Sequence, residues 1–94
     1  MLKELNPIIH SQLRLAIMTI LVSVEEADFN YLKEKTEATS GNLSVQLDKL
    51  NTAGYIKLTK GFVGKKTRTT CSLTDQGRIA FEEYIENLKS YLHL

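Results

Sequence analysis

A run of basic residues in the second half of the chain is the first feature whose chemistry points to a charged partner. Residues 57–68 contain five cations and no acidic residue, whereas acidic residues cluster in segments 25–28 and 82–86. The net charge of the 94 residues is only +1, so this local stripe, and not the overall balance, creates the positive potential that a polyanion would meet. The cations are Lys57, Lys60, Lys65, Lys66 and Arg68.

A second set of polar side chains occupies a predicted helix from about 39 to 53. The leucines of Leu43–Leu50 recur at spacings of four and three and predict its buried face. On the rest of the surface, Asn42 and Gln46 are suited to a two-bond contact with adenine. Asp48 either points sideways, pairs with a lysine or accepts from a cytosine amine. A solvated helix surface without a function is the alternative reading. The candidate contacts are Ser40, Gly41, Asn42, Ser44, Val45, Gln46 and Lys49.

The remaining reactive residue types do not combine into a catalytic or metal site. The single Cys71 excludes an internal disulfide and is typical of a reducing cytoplasm, where it is more often a buried small residue than a redox sensor. His10 and His93 lie far apart in the sequence and have no neighbouring metal ligands. The longest apolar run, residues 16–22, is far shorter than the roughly 20 residues that span a bilayer. We therefore expect a cytoplasmic protein without enzymatic activity, cofactor, metal or membrane partner.

Three helices are predicted to precede the basic stripe. Asn6 and Asp28 are suited to cap the first two, Thr39 or Ser40 the third, and Pro7 fits the first turn of the first helix. Gly54 supplies the left-handed residue that commonly follows a helix. The predicted segments are Pro7–Val22, Asp28–Thr36 and Thr39–Ala53.

The second half of the chain predicts a hairpin and a fourth helix. Alternating β-formers indicate strands at 55–59 and 67–73 around a glycine-containing tip at 61–66. The pattern leaves open a third, very short strand near Val24 or Ala27. Thr74 is suited to cap a helix over residues 75–94. Together the elements predict a single α+β domain over residues 1–94, mostly α, with a three-helix core, a β-hairpin and a C-terminal helix.

Several short motifs, in this order and at these distances, resemble a known family. The segments TSGNLSVQLDKL, AGYIKL and KGFVGKKTRTTCSLTDQGRIAFEEY are similar to MarR/ArsR-like winged helix-turn-helix regulators, and within them to the small winged helix DNA-binding domain family. The upstream HSQLRLAIMTILV and DFNYLKEKTEAT also fit, so the resemblance spans about Pro7 to Leu88. One departure is the tip of the hairpin, Gly64–Arg68, which lacks the acid that many MarR-like wings carry.

The resemblance implies a double-stranded DNA-binding protein. The helix at about 39–53 is then the recognition helix in the major groove. The wing, at about 60–68, would lie on the DNA backbone or enter the minor groove, with Lys60, Lys65, Lys66 and Arg68 as its contacts. The longer N-terminal helix by which many such proteins dimerise is missing, so dimerisation would depend on the first and last helices.

The last helix carries more apolar surface than one face of a small domain requires. Its extension past Glu86 would expose an apolar patch if no partner covered it, which favours a homodimer. The alternative is that the helix covers only its own core. A two-fold dimer would place two recognition helices about 34–36 Å apart and imply a palindromic site. The candidate interface residues are Ile9, Leu13, Phe81, Tyr84, Ile85, Leu88, Tyr91 and Leu92.

The sequence leaves two functions open. The favoured one is a sequence-specific, homodimeric transcriptional regulator, most simply a repressor that occludes a promoter. The other is a winged-helix module that docks onto proteins and does not bind DNA, which the near-neutral net charge mildly favours and the basic wing opposes. A small-molecule effector between the first and last helices is left open, because no residue pattern identifies one.

Overall fold

The order of helices and strands follows the sequence prediction, with one addition and several shifted boundaries. The computed structural model describes residues 2–93, so the first and last residues of the predicted domain, Met1 and Leu94, lie outside the described residues. The predicted class, mostly helical α+β with a three-helix core, a hairpin and a C-terminal helix, is confirmed. The elements are α1 (Gln12–Leu21), β1 (Ala27–Asp28), α2 (Phe29–Thr36), α3 (Ser40–Thr52), β2 (Ile56–Val63), β3 (Lys66–Leu73) and α4 (Asp75–Leu92).

The first helix is shorter than predicted, because the extended residue Ser11 separates it from the turn that contains Pro7. The side chain of Asn6 accepts from the backbone amide of Ile8 at 2.9 Å, and its carbonyl accepts from the amide of His10 at 2.8 Å. These bonds close a separate turn around Pro7, and Ser11 follows in extended conformation (φ −153°). The prediction of a continuous helix from Pro7 was therefore wrong. The separate turn allows Ile9 to be fully buried.

The predicted caps of the other helices are confirmed. The side chains of Asp28, Thr39 and Thr74 each accept from the backbone amide three residues further on, at 2.7, 3.1 and 2.9 Å. Each cap satisfies one of the amides that the first helical turn leaves without a partner. Gly54 has the predicted left-handed conformation after α3, with φ +82°. The helix boundaries in this part of the chain were thus encoded locally.

The sheet is antiparallel with strand order β1-β3-β2, and its hairpin is longer than predicted. β2 and β3 pair from Ile56 opposite Leu73 to Val63 opposite Lys66, so only two residues form the turn. Gly64 makes this tight connection with φ +63°, as two-residue hairpin turns require. The predicted tip at 61–66 was too wide, because Gly61 lies within β2 opposite Arg68. The open question of a third strand is settled at Ala27–Asp28, which pairs with β3.

One apolar core joins all four helices to the sheet. α1 lies centrally and contacts α2, α3 and β3. Three residues predicted at a dimer interface, Ile9, Phe81 and Tyr84, are core residues of the single chain, at most 9% exposed. The sequence did not separate them from surface residues, because the face of α4 that packs on the core continues along the same stripe. The core side chains are Ile9, Ile17, Met18, Leu21, Ala27, Leu32, Leu43, Leu47, Leu50, Ile56, Cys71, Phe81 and Tyr84.

The start of α4 is docked directly onto the start of β2. The backbone amide of Thr74 donates to the carbonyl of Tyr55 at 3.0 Å, and its hydroxyl donates to the carbonyl of Gly54 at 2.6 Å. Gly77 comes so close that a Cβ atom there would lie 2.0 Å from the Tyr55 carbonyl oxygen. This junction orients α4 relative to the hairpin. Within residues 2–93, none of the helices combines the length and the apolar character needed to cross a membrane.

Candidate nucleic-acid interface

The outer surface of α3 presents most of the side chains predicted to contact DNA. Leu43, Leu47 and Leu50 turn into the core and are at most 2% exposed. On the opposite side Val45 is half exposed, at 50%, and the other predicted contacts are exposed as well, with one exception. Gln46 is only half-buried, because it lies on the flank of α3 that faces α1. The exposed contacts are Ser40, Gly41, Asn42, Ser44, Val45 and Lys49.

Asn42 and Gln46 do not act as two independent side chains. The Nε2 of Gln46 donates to the Oδ1 of Asn42 at 2.9 Å, across one turn of α3. The Oε1 of Gln46 accepts in turn from the guanidinium of Arg14 in α1. The structure thus links two predicted base contacts to a residue that the sequence analysis did not select.

Arg14 also connects this network to the turn that precedes α1. Its guanidinium donates to the carbonyls of Ile8 and Pro7, the latter at 3.4 Å. If α1 began at Pro7, these carbonyls would accept from backbone amides of the helix. The interruption at Ser11 removes those amides as donors, and Arg14 takes their place. The signal in the sequence is a lone cation inside the apolar segment LRLAIMTIL, but its partners lie in elements that only folding brings together.

The cations of the hairpin are all exposed and are distributed over both of its faces. Lys60, Lys65, Lys66 and Arg68 extend from the distal half of β2–β3 and its turn. Successive strand residues point to opposite faces, so the register places Lys66 and Arg68 on one face and Lys60 on the other. A hairpin with cations on both faces can approach phosphates on either side of a groove.

Arg68, in the distal half of the hairpin, forms an ion pair with an acidic residue. Its guanidinium lies 3.6 Å from the Oδ2 of Asp28, and both side chains are partly exposed. The other carboxylate oxygen of Asp28 caps α2. Asp28 therefore links Arg68 of β3 to the start of α2. The sequence identified Asp28 only as a cap, since its pairing with β3 is a tertiary contact.

Two apolar residues at the end of the hairpin were also missed. Phe62 is 76% exposed and Val63 57%, and they lie beside the cations of the turn. An exposed phenyl ring at a hairpin end has no role in the core. Apolar side chains of this kind are used by some DNA-binding proteins to contact sugars and base steps in the minor groove.

The five remaining residues of the predicted dimer interface lie on or near the surface. Leu13, Ile85 and Leu88 are half-buried, whereas Tyr91 and Leu92 are 39% and 58% exposed. The hydroxyl of Tyr91 donates to the carbonyl of Lys3 at 2.7 Å, so the N-terminal segment lies along the end of α4.

Two other features bear on ligand chemistry. Burial, and then the nearby Asp28 carboxylate, raise the pKa of the Cys71 thiol to about 11, so the thiol is neutral and enclosed. A cleft of about 360 Å³ lies between the residue that follows α1 and one side of α4, lined by Val22, Phe81, Glu82, Ile85 and Glu86. This is the place that the sequence analysis left open for an effector. Among residues 2–93, no three side chains of the types that ligate metals are grouped as a metal ion would need.

Comparison with known proteins agrees with this geometry. The family model described as "winged helix DNA-binding domain" matches residues 13–92. An uncharacterised protein of Methanocaldococcus jannaschii is 38% identical over 78 residues, which cover 83% of this chain and 85% of the relative.

Two solved structures with the same architecture are a transcriptional regulator homologue and a protein bound to operator DNA. A transcriptional regulator homologue from Pyrococcus horikoshii has a TM-score of 0.84 and 27% identity, over 92% of this chain and 85% of its own. PadR from Bacillus subtilis, solved in complex with operator DNA, has a TM-score of 0.66 and 20% identity, over 74% of this chain and 45% of its own. The second likeness concerns the fold alone. Neither is described as an enzyme. On the match over residues 13–92, the chain belongs to the winged helix DNA-binding domain family.

Proposed function

We propose that this protein is a MarR-like, sequence-specific transcriptional repressor that binds double-stranded DNA in the cytoplasm as a homodimer. The observation that carries the proposal is the exposed outer face of α3, from Ser40 to Lys49, in a chain whose hairpin bears five exposed cations. A protein-docking module of the same fold would not need an acid-free stretch of five cations in residues 57–68.

The dimensions of α3 suit the major groove. Its 13 residues form a helix about 20 Å long, and the groove, about 12 Å wide, admits one helix. In this docking mode the N-terminal residues of the helix reach base edges, so Ser40, Asn42 and Val45 would face the bases. Val45 is suited to meet a thymine methyl group, and Lys49 a phosphate. The hairpin cations would neutralise phosphates beside the adjacent minor groove.

The shape of the chain supports the dimer. The radius of gyration is 14.1 Å, whereas about 12.4 Å is typical of a compact domain of this length. The fully buried residues of α4 lie between Gly77 and Tyr84 and the half-buried Leu88 still packs on the core, so only the last turn of α4 extends beyond it. Tyr91 and Leu92 are exposed there, next to the half-buried Leu88. A second copy placed on this end of α4 would cover them, and a palindromic site would follow from the two-fold axis.

Repression is the simplest outcome of this arrangement. A dimer with two recognition helices occupies more than one turn of the duplex, so a site that overlaps a promoter would exclude polymerase.

Salt-dependent DNA binding tests the proposal. Fluorescence anisotropy is measured with the upstream DNA of the gene and with a random duplex, at two or more salt concentrations. If a dimer neutralises about six phosphates, the logarithm of the association constant should fall with the logarithm of salt at a slope of about −5. The upstream DNA should bind more tightly than the random duplex.

A matched pair of charge variants identifies the surface. The double variant K65Q/K66Q should weaken binding to both duplexes and reduce the salt slope. The control K3Q/K89Q removes the same charge outside α3 and the hairpin and, once sedimentation shows that this variant dimerises as the wild type does, should have a much smaller effect on DNA binding. Equal effects would remove the hairpin from the interface. No binding to either duplex at low salt would reject DNA recognition in favour of the protein-docking module.

The dimer has its own test on α4. Leu92 and Ile79 are both 58% exposed, but Leu92 lies on the projecting end and Ile79 near the docked start. L92D should convert a dimer into a monomer in sedimentation experiments, whereas I79D should not. A monomeric wild type, or dissociation by I79D and not by L92D, would overturn the proposed interface.

A further inference from the structure

The hydrogen-bond chain from Arg14 through Gln46 to Asn42 has a fixed direction. A guanidinium has donors only, so Gln46 must present its Oε1 to Arg14. The Nε2 of the same amide then faces Asn42, which must present its Oδ1, and the distance between these two atoms is 2.9 Å. A flip of either amide would set two N–H groups, or two oxygens, against each other.

The direction of these hydrogen bonds determines which groups their exposed end, at Asn42, offers to a base. The Oδ1 of Asn42 and the Oε1 of Gln46 are already acceptors within the chain. The donors that remain are the Nδ2 hydrogens of Asn42, which is exposed, and the second Nε2 hydrogen of Gln46. The outer end therefore presents unengaged N–H donors, whereas each carbonyl oxygen keeps only one of its two lone pairs.

We propose that Arg14 is a positioning residue which sets Asn42 and Gln46 to read guanine. The proposal rests on the proposed function, since it concerns the same face of α3. The major-groove edge of guanine offers two acceptors, N7 and O6, which two N–H donors match. Adenine requires one donor and one acceptor from the same amide, and here the Asn42 oxygen would have to accept from Gln46 and from the base at once, which weakens that contact. The adenine contact that residue types alone suggested is thereby disfavoured relative to guanine.

Arg14 is suited to this role because it is itself held in place. Its side chain is half-buried, and its other donors bond to the carbonyls of Ile8 and Pro7. Three contacts keep the guanidinium beside Gln46 before any DNA arrives. The donor pattern is thus set by the fold of the free protein and does not depend on the ligand.

Selection from a duplex library with a randomised 20-base-pair region tests the inference. The wild type and N42A are each used to enrich bound sequences. The motif position that becomes degenerate in N42A marks the base that Asn42 contacts. Guanine should be preferred over adenine at that position by about tenfold or more in the wild type. A preference for adenine there, or no position that depends on Asn42, would refute the inference.

A variant that turns the Asn42 amide around gives the sharper result. In Q46E a carboxylate accepts from Arg14 and from Asn42 alike, so the Asn42 amide must turn and expose its Oδ1. The preference at the marked position should then shift from guanine to a base with an exposed amine, cytosine or adenine. N51E adds the same charge at an exposed position of α3 outside the network, and should lower affinity without changing the preferred base.

A third variant removes Arg14, which sets the direction of the hydrogen bonds through Gln46 to Asn42. R14M has no donor, so both amides become free to flip, and discrimination between guanine and adenine should fall by about tenfold while DNA binding persists. Circular dichroism melts show which variants are folded, and the base preference is read from those that are. An unchanged guanine preference in folded R14M or Q46E would overturn the role of Arg14. Absence of any enriched motif in the wild type would instead reject sequence-specific DNA binding itself.

Discussion

Gly77 fixes the angle of the C-terminal helix, and its replacement by alanine should be strongly destabilising. A Cβ atom at this position would lie 2.0 Å from the carbonyl oxygen of Tyr55 and 2.8 Å from its carbonyl carbon. Ordinary contact begins near 3.4 Å, so α4 would have to retreat by more than about 1 Å. The obstacle is backbone at the start of β2, which cannot move aside as a flexible side chain would.

The magnitude follows from three contributions. Overpacking a tight site costs about 1–3 kcal/mol. The retreat also breaks the bond from the Thr74 amide to the Tyr55 carbonyl, which is worth about 1 kcal/mol. Alanine returns about 1 kcal/mol through its higher helix propensity. We expect the free energy of unfolding to fall by about 2 kcal/mol in G77A, and Tm to fall by roughly 10 °C.

Gly41 provides the matched control in urea and thermal unfolding followed by circular dichroism. It is also a helical glycine, but a Cβ atom there would meet nothing within 4 Å. G41A should therefore raise the free energy of unfolding by about 0.5–1 kcal/mol. Shifts of the same sign in the two variants, or a G77A protein as stable as the wild type, would refute the close approach of α4 to Tyr55.

Three further substitutions test the surroundings of the hairpin. D28N keeps a good cap but removes the carboxylate beside Arg68. The free energy of unfolding should therefore change by less than about 0.5 kcal/mol, whereas DNA affinity at low salt should rise about threefold. A loss of affinity in anisotropy would contradict this. F62A should weaken DNA binding about fivefold with unfolding unchanged, because the ring is 76% exposed; equal affinity in both proteins would exclude Phe62 from the contact. The pKa of Cys71 is raised in the folded chain, so the stability that its neutral thiol contributes is complete below the unfolded pKa and is lost as pH rises towards 11. The stability advantage of the wild type over C71A in urea should therefore narrow between pH 9 and 11, and a constant difference would contradict the shift.

Local signals predicted most of the architecture. The caps at Asp28, Thr39 and Thr74 and the left-handed Gly54 were all found from residue type and position, because a cap or a C-terminal glycine acts within a few residues of itself. The Leu43–Leu50 spacing predicted the buried face of α3 for the same reason. The beginning of α1 was missed, because the break at Ser11 is compensated by a side chain from the following helix.

The sequence named residues of the candidate site but not the contacts that join them. The exposed cations of the hairpin and the exposed positions of α3 could be named from the sequence, since both are surface features of regular elements. The partners Arg14 and Asp28 could not, because each contact joins elements that are distant in the chain. The sequence did not divide the stripe of α4: Phe81 and Tyr84 fill the core, Ile85 and Leu88 pack on it, and Tyr91 and Leu92 are exposed.

By itself, then, the sequence determined the kinds of elements, their order and the chemical types available on each. These depend on short-range periodicity, capping and turn geometry, which are written within a few residues. The tertiary structure alone decided the direction of the Arg14–Gln46–Asn42 chain, the pairing of Asp28 with Arg68 and the close approach of Gly77 to Tyr55. Such contacts depend on the relative placement of packed elements, and a donor or an acceptor acquires its role only when its partner is in place.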